Sequence, residues 1–309
     1  MAATQTEGRG PSTGTKGANG GGGISLETKM LVPVLALLAV LSLFPFFYII
    51  WMSLNIVSLI NGISFDFAGL ANWTRMFTDE VVGAAWARAA LYFVATVGLE
   101  MILGVAIALL VHELVWGKNL VLSLILLPMF MAPVIVGLLG RFLTDSSYGL
   151  YAYVLRELGI FESDILGTAS SALPAVILMD VWEWTPLIVL IVLAGLASVN
   201  QYVIEAAKVD GANYLERLRY IVAPCIAGVV IVALLVRSMD AIRYFDIITV
   251  TTNGGPGNTT KIIPIRLYET AFRFFDLGYA AAIGLGMLVF SILVANVFVR
   301  ILESRGLAR

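Results

Sequence analysis

The sequence predicts an all-α integral membrane protein with six transmembrane helices. Of its 309 residues, 60% are apolar and only 13% are charged, whereas a soluble domain carries roughly 25% charged residues. Long apolar runs recur along the chain, and they match the roughly 20 residues that a helix needs to cross the core of a bilayer. Membrane lipid is therefore the expected solvent of most of the chain.

Six apolar segments carry this prediction, separated by polar connections. An even number of crossings would place both termini on the same side of the membrane. The predicted spans are about Met30 to Trp51, Arg88 to Val111, Leu120 to Gly140, Leu173 to Leu196, Pro224 to Ile248 and Leu277 to Leu302.

The chain before the first span has the composition of a disordered tail. Residues 1–28 are rich in Gly, Ser and Thr and have too few apolar side chains to form a core. The first apolar run, from Met30, has full membrane length, so we expect it to be retained as a span rather than removed as a signal peptide. The membrane domain is then expected to cover residues 29–309.

The distribution of basic residues predicts the orientation. Lys and Arg lie close to the span ends on the side that carries both termini, whereas on the other side they are spread through longer connections. Basic residues near span ends favour the cytoplasmic side of a membrane. We therefore expect a multi-pass protein of the cell membrane, inner or plasma, with both termini in the cytoplasm. The small net charge of −2 and the absence of a basic cluster give no support to a nucleic-acid partner.

The connection between the fourth and fifth spans, Ala197 to Pro224, is too long for a simple turn. Strong helix formers from Tyr202 to Val209 predict a short helix along the cytoplasmic surface. Gly211 is expected to end this helix. Pro224 suits the first turn of the following span, because the N–H that proline lacks would have no partner there.

Within this connection, Glu205-Ala206-Ala207 is followed by three residues and Gly211, then by nine residues, and then by Ile221 and Pro224. This spacing resembles the EAA loop of the binding-protein-dependent ABC importer permeases. One position departs from the family pattern: Ala223 stands where the family prefers Leu before the proline. The resemblance implies a type I importer permease (MetI-like) core, here about residues 88–302, with the EAA coupling loop at residues 197–224.

This resemblance also implies a role and partners. In that family the loop forms a coupling helix, whose small Ala206 and Ala207 would sit closely in a cleft of a cytoplasmic ATPase, while Glu205 and Gly211 would form the mechanical joint. The implied partners are two copies of that ATPase, a second homologous permease subunit and an external solute-binding protein. The chain itself would perform no covalent chemistry, because it contains no nucleotide-binding motif. Neither a metal nor a cofactor is expected.

A second segment narrows the resemblance. Phe245-Asp246-Ile247-Ile248 is followed by Thr252-Asn253-Gly254-Gly255-Pro256-Gly257-Asn258. This pattern is similar to the segment after the fifth core span in sugar-importer permeases of the MalF type, which implies a sugar or polyol as the solute. The Gly-rich run lacks the spacing of a phosphate-binding loop, and we interpret it as an external turn.

Ionisable side chains within spans are costly and mark either functional sites or paired structural contacts. In the fifth span Arg237, Asp240 and Arg243 recur at every third residue, so Asp240 can pair with either arginine, and Tyr244 extends the same helix face. Glu100 in the second span is a weaker candidate of the same kind.

The fourth span carries a second polar face. Asp180, Glu183 and Trp184 lie on one side of the predicted helix, and Pro186 permits a kink there. Aromatic rings beside carboxylates suit a sugar, because rings stack on its C–H faces and carboxylates accept its hydroxyls. By resemblance, this face and the face from Arg237 to Tyr244 match the helices that line the sugar site of maltose-type permeases, although that site has mostly amides and aromatics instead of charges.

Two interpretations of these polar faces stay open on the sequence alone. The side chains Asp180, Glu183, Trp184, Arg237, Asp240 and Tyr244 either line the solute path or form salt bridges that fix the helices. Intramembrane charges also occur in ion-coupled secondary transporters. Against that class stand the EAA spacing and the lack of an evident inverted repeat. An intramembrane hydrolase would need a nucleophile beside a base, and no His lies within a predicted span.

Overall fold

The computed structural model describes residues 26–59, 62–161 and 163–304. The chain divides into two units, residues 1–48 and residues 49–309. Most of the predicted N-terminal tail, residues 1–25, lies outside the described residues. The described part of the first unit, residues 26–48, belongs to the apolar helix α1 (Leu26–Ser53). Prolines Pro33 and Pro45 lie within this helix.

The second unit is built from helices and one small hairpin, in which β1 (Asn55–Ser58) pairs antiparallel with β2 (Ser64–Phe67). The α-helices that follow are α2 (Ala71–Thr78), α3 (Glu80–His112), α4 (Lys118–Leu126), α5 (Pro133–Leu143), α6 (Leu150–Glu157), α7 (Ala172–Leu196), α8 (Gln201–Val209), α9 (Tyr214–Arg217), α10 (Ala223–Ala241), α11 (Asp246–Thr251), α12 (Ile263–Phe272) and α13 (Leu277–Ser304).

Among the described residues, five helical stretches are long and apolar enough to cross a membrane. They coincide with the first, second, fourth, fifth and sixth predicted spans. The stretch containing the fifth extends from Tyr214 to Thr251, with a turn at residues 242–245 between α10 and α11. The all-α, multi-spanning fold class is thereby confirmed.

The third predicted span, about Leu120 to Gly140, is interrupted rather than continuous. It consists of α4, a short 3₁₀ turn over Pro128–Phe130 and α5. Two prolines lie at the break, Pro128 at the start of the 3₁₀ turn and Pro133 at the start of α5. Proline lacks an N–H and crowds the preceding turn, so two prolines five residues apart favour a break there. The hydropathy of the sequence shows that this segment is apolar, but it does not reveal the break.

The central packing contact of the second unit joins α3 to α7. A β-carbon added at Gly104 of α3 would lie 2.6 Å from Cβ and Cγ2 of Ile188 on α7, so only glycine permits this approach. Ile188 belongs to a buried apolar cluster with Ala108, Val192 and Ala233, and that cluster also includes α10. Small residues at helix crossings are the usual means of close packing in membranes, where lipid supplies no hydrophobic drive between helices.

Polar contacts join the N-terminal ends of α3 and α13. Asp79 caps α3 by accepting hydrogen bonds from the N–H groups of Val81 and Val82, and it also accepts one from the Tyr279 hydroxyl at 2.9 Å. Arg75 of α2 pairs with Asp276 at 2.6 Å. These contacts hold together helix ends that are about 200 residues apart in sequence.

Candidate functional site

A buried arginine joins three helices of the second unit. Arg237 on α10 donates to Glu100 on α3 through two bonds, Nε to Oε2 at 2.6 Å and Nη2 to Oε1 at 2.9 Å. Its Nη2 also donates to Asp180 Oδ2 on α7 at 2.6 Å, and its Nη1 donates to Asp240 Oδ2 at 2.9 Å. The guanidinium has a planar fork of donors, and here three carboxylates occupy it at once.

Burial divides the members of this cluster into two groups. The side chains of Arg237, Glu100 and Asp180 have no exposed surface, whereas that of Asp240 is 33% exposed. Asp240 also faces Arg243, whose side chain is 76% exposed and whose Nη2 lies 3.6 Å from Asp240 Oδ1. The cluster therefore has a closed inner part and an open edge.

A second polar contact lies beside the arginine. The Tyr244 hydroxyl donates to Glu183 Oε2 at 2.8 Å, and both residues are buried. The ring of Tyr244 stacks on that of Tyr92, with centroids 6.1 Å apart. The Arg237 guanidinium lies 5.5 Å from the ring centroid of Trp184 and 5.7 Å from that of Tyr244, within the range of cation–π attraction.

Several polar atoms of the cluster have no hydrogen-bond partner among the described residues. They include Asp180 Oδ1, Glu183 Oε1 and the Trp184 indole nitrogen. Buried polar atoms are normally paired, because leaving one unpaired costs about 1–3 kcal/mol. The cluster therefore keeps acceptor and donor capacity that its own side chains do not use.

The six predicted path residues are thus brought together, although they lie on two helices and the turn after α10. The structure also adds two members. Glu100, only a weak candidate from the sequence, is the most closely bound partner of Arg237. Sequence reasoning missed Tyr92, because a single tyrosine in an apolar run forms no pattern. The available signal was its place in the same predicted span as Glu100, eight residues earlier.

The predicted surface helix is present as α8. Its N-cap is Asn200, whose side chain accepts from the Tyr202 N–H. At the other end the Ala212 N–H donates to the Ala207 carbonyl and the Gly211 N–H to the Lys208 carbonyl. This pair of bonds is the Schellman arrangement, which needs a left-handed residue after the helix.

Gly211 supplies that left-handed residue, with φ +86°. A β-carbon at this position would meet no atom within 4 Å, so its backbone conformation, rather than the surrounding space, calls for glycine. The next helix begins at once, with a capping box between Asn213 and Glu216. The turn between α8 and α9 is therefore sharply defined at both sides.

The side chains of α8 are open to the surroundings of the chain. Glu205 and Ala206 are exposed and Ala207 is partly exposed. Two apolar side chains stand out, Tyr202 with 81% and Val209 with 87% of their surface exposed. Large apolar side chains therefore lie near the alanines on the exposed surface of α8.

Pro224 lies in the first turn of α10, as its chemistry predicts, but the helix does not begin there. A π-helical segment, Leu218–Val222, joins α9 directly to α10. Because proline has no N–H and crowds the preceding carbonyls, the wider turn before Pro224 accommodates it within a continuous helical path.

Comparison with known proteins identifies a matching protein family. The family described as binding-protein-dependent transport system inner membrane component matches residues 100–306. This match includes Glu100, α7, α8 and α10, and hence the loop and the buried cluster except Tyr92.

Individual relatives align over nearly the whole chain. The chain is 34% identical to the trehalose/maltose transport system permease protein MalF of Thermococcus litoralis, over 86% of this chain and 89% of that protein. It is 34% identical to the probable ABC transporter permease protein y4oQ of Sinorhizobium fredii, over 88% of each. A solved bacterial ABC transporter that imports the acidic polysaccharide alginate has the same fold, with a TM-score of 0.79 at 20% identity, over 92% of this chain and 96% of that one.

Proposed function

The chain belongs to the family of binding-protein-dependent transport system inner membrane components, and on this premise we propose that it carries a sugar or polyol through the membrane. It is a multi-pass membrane permease subunit of an ABC importer and is not an enzyme. The solute would be delivered by an external binding protein and would cross by alternating access. ATP hydrolysis belongs to separate subunits.

The solute class is supported by two relatives of different kinds. The relative from Thermococcus litoralis is named for trehalose and maltose, and the solved transporter of the same fold imports a polysaccharide. The cluster around Arg237 supports the same class, because its open edge carries the Asp240 carboxylate and the aromatic rings of Trp184 and Tyr244 lie beside its arginine. Sugars bind such groups through hydroxyl hydrogen bonds and ring stacking.

Coupling to the ATPases is proposed for α8 and the turn that follows it. The observation that carries this proposal is the exposed α8 surface, which ends in the left-handed Gly211. Glu205, Ala206 and Ala207 would contact the ATPase cleft, and Gly211 with Pro224 would pass its movement into α10. The proposed complex has two ATPase copies and a second, homologous permease subunit.

The orientation proposed here follows from this coupling. If α8 meets a cytoplasmic ATPase, both termini lie in the cytoplasm and the Gly-rich turn from Asn253 to Asn258 lies outside. The greater density of basic residues near the span ends on the α8 side supports the same orientation.

For the buried cluster we propose a place beside the solute path. Asp180, Glu183, Trp184, Arg237, Asp240 and Tyr244 would form its wall in this subunit. The exposed edge of the cluster at Asp240 supports this proposal. The closed geometry around Arg237 supports a second role as well, the joining of α3, α7 and α10.

Reconstitution tests the proposed function. The chain is co-expressed with a candidate ABC ATPase, a second permease and a solute-binding protein from its own genome. Uptake of radiolabelled trehalose and maltose into proteoliposomes is then measured with ATP and with a non-hydrolysable analogue. We expect uptake of at least one sugar that requires ATP and the binding protein. Uptake driven by an ion gradient without ATP would contradict the importer mechanism. Failure to take up either sugar with ATP would exclude trehalose and maltose as the solutes.

A further inference from the structure

We propose that solute meets this subunit at Asp240 and Arg243, called here the outer rim, and that Arg237, Glu100 and Asp180 position the rim without touching solute. This inference rests on the proposed function and divides its path residues by role. It also adds Arg243, which the sequence presents only as a possible partner of Asp240.

The inner group is closed even in the isolated subunit. Arg237, Glu100 and Asp180 show no exposed side-chain surface, and 1% of Glu183 is exposed. A second permease subunit can only cover more surface, so assembly does not open this group. A solute hydroxyl could reach Arg237 only by separating α3, α7 and α10, which would break the three short hydrogen bonds that join these helices.

The outer rim is exposed and carries both a hydrogen-bond acceptor, Asp240, and a donor, Arg243. One oxygen of Asp240 accepts from the buried Arg237 at 2.9 Å, while the other lies 3.6 Å from the exposed Arg243. The longer contact is an ion pair without a short hydrogen bond, so a solute hydroxyl can enter between these side chains.

The surroundings of the rim favour a polar occupant with an apolar face. Charged side chains that face lipid are costly, so Asp240 and Arg243 are expected to face water or solute. Val236 and Met239, one turn before them on α10, are 47% and 46% exposed. A carboxylate acceptor, a guanidinium donor and adjacent apolar side chains together match a hydroxyl-rich ring with apolar C–H faces.

Arg237 acts on the rim by fixing Asp240. With its Nε and Nη2 held by Glu100 and Asp180, the guanidinium presents Nη1 in one direction, and Asp240 accepts from it. The inner group is therefore expected to set the position of the carboxylate, while the rim sets the preference for solute.

Thiol accessibility tests the rim without requiring transport. Cys225 is the only cysteine in the sequence, so Cys225→Ala gives a cysteine-free parent. This parent then carries either Asp240→Cys or Arg243→Cys. Ser238→Cys is the matched control, because Ser238 lies on α10 and is fully buried. In the assembled complex we expect a charged, membrane-impermeant methanethiosulfonate to modify the two rim cysteines at least tenfold faster than the cysteine at position 238. Equal rates would overturn the proposal. Rim cysteines that react in the isolated chain but are protected in the complex would show that the second permease covers them, which would also overturn it.

Transport preference supplies the second measurement. Arg243→Gln and Asp240→Asn are expected to change the ratio of trehalose to maltose uptake at normal complex yield, with Arg243→Lys restoring part of the wild-type ratio. Glu100→Gln is expected to lower yield and leave the ratio unchanged. A changed ratio in Glu100→Gln, or an unchanged ratio in both rim variants, would overturn the division of roles. If the wild-type complex carries neither sugar, trehalose and maltose are excluded as the solutes, whereas the thiol rates still decide whether the rim is open.

Discussion

Arg237 and Glu100 form a two-bond, fully buried ion pair between helices, although 137 residues separate them in the chain. Asp180 completes the connection from a third helix. Three long helices thus meet at one guanidinium. Since lipid provides no hydrophobic drive for helices to associate, such polar contacts and close packing fix their arrangement.

Replacing Arg237 is expected to damage the fold more than replacing one of its partners. Arg237→Met would leave Glu100 and Asp180 buried without a cation, and breaking a buried ion pair by removing one member typically costs about 3–5 kcal/mol. Glu100→Gln keeps an acceptor oxygen for the guanidinium and should cost less. Thermal denaturation and yield of the detergent-purified complex measure the difference. An Arg237→Met complex as stable as wild type would show that the cluster does not hold the helices together.

Asp240→Asn is expected to be mild. A simple pair of Arg237 and Asp240 would leave the arginine unpaired, but the structure gives it Glu100 and Asp180 as further partners. For the same reason, replacing both Arg237 and Asp240 by neutral residues should not restore stability, because two buried carboxylates then lack a cation. Complex yield for the two single variants and the double variant checks this order. Full recovery in the double variant would mean that Asp240 is the dominant partner.

Gly211→Val should uncouple ATP hydrolysis from uptake while folding survives. Its φ of +86° is strained for a β-branched residue, so the turn after α8 would change direction. Gly159→Val is the matched control: this residue follows α6 with φ +65°, and a β-carbon there also meets nothing within 4 Å. The ratio of ATP hydrolysed to solute taken up should rise in the first variant only. Equal ratios in both variants would refute a special role for the α8 turn.

The crossing of α3 and α7 predicts a size-dependent loss of stability. Gly104→Val would place side-chain atoms within the Ile188 side chain and should destabilise the protein by about 1–3 kcal/mol, as overpacking does. Gly98→Ala on the same helix meets no neighbour within 4 Å and should be neutral or slightly stabilising. Melting temperatures of the purified variants provide the comparison. Similar melting temperatures for the two variants would mean that α3 and α7 can move apart at little cost in stability.

The orientation predicts opposite labelling of two loops. In the Cys225→Ala parent, Asn258→Cys should react with an impermeant maleimide added to intact cells, whereas Glu205→Cys should react only after the membrane is opened. Both positions are exposed on the chain, so access to the reagent decides the result. The reverse pattern would overturn the cytoplasmic placement of α8 and of both termini.

The EAA loop shows which structural features the local sequence can predict and which it cannot. Helix formers, Gly211 and the downstream Pro224 predict a short helix, its end and a proline near the start of the next span, and α8 and α10 have these features. All of these depend on backbone preferences of residues within a few positions of one another. The π-helical Leu218–Val222 was not predictable, because it reflects a compromise between two helices that continue into each other.

The sequence by itself determined the membrane environment, the positions of five of the six predicted spans and the surface helix α8. Composition, apolar length and local backbone preference act over one turn to one span, so they can be read from the sequence. It also marked Asp180, Glu183, Arg237 and Asp240 as charges that lipid would not tolerate. Only the tertiary structure decided that Arg237 binds Glu100 and Asp180 and that Asp240 stays at the open edge. Those partners lie on helices far apart in the chain, and which faces meet depends on close approaches, such as that of α3 to α7, that no local pattern encodes.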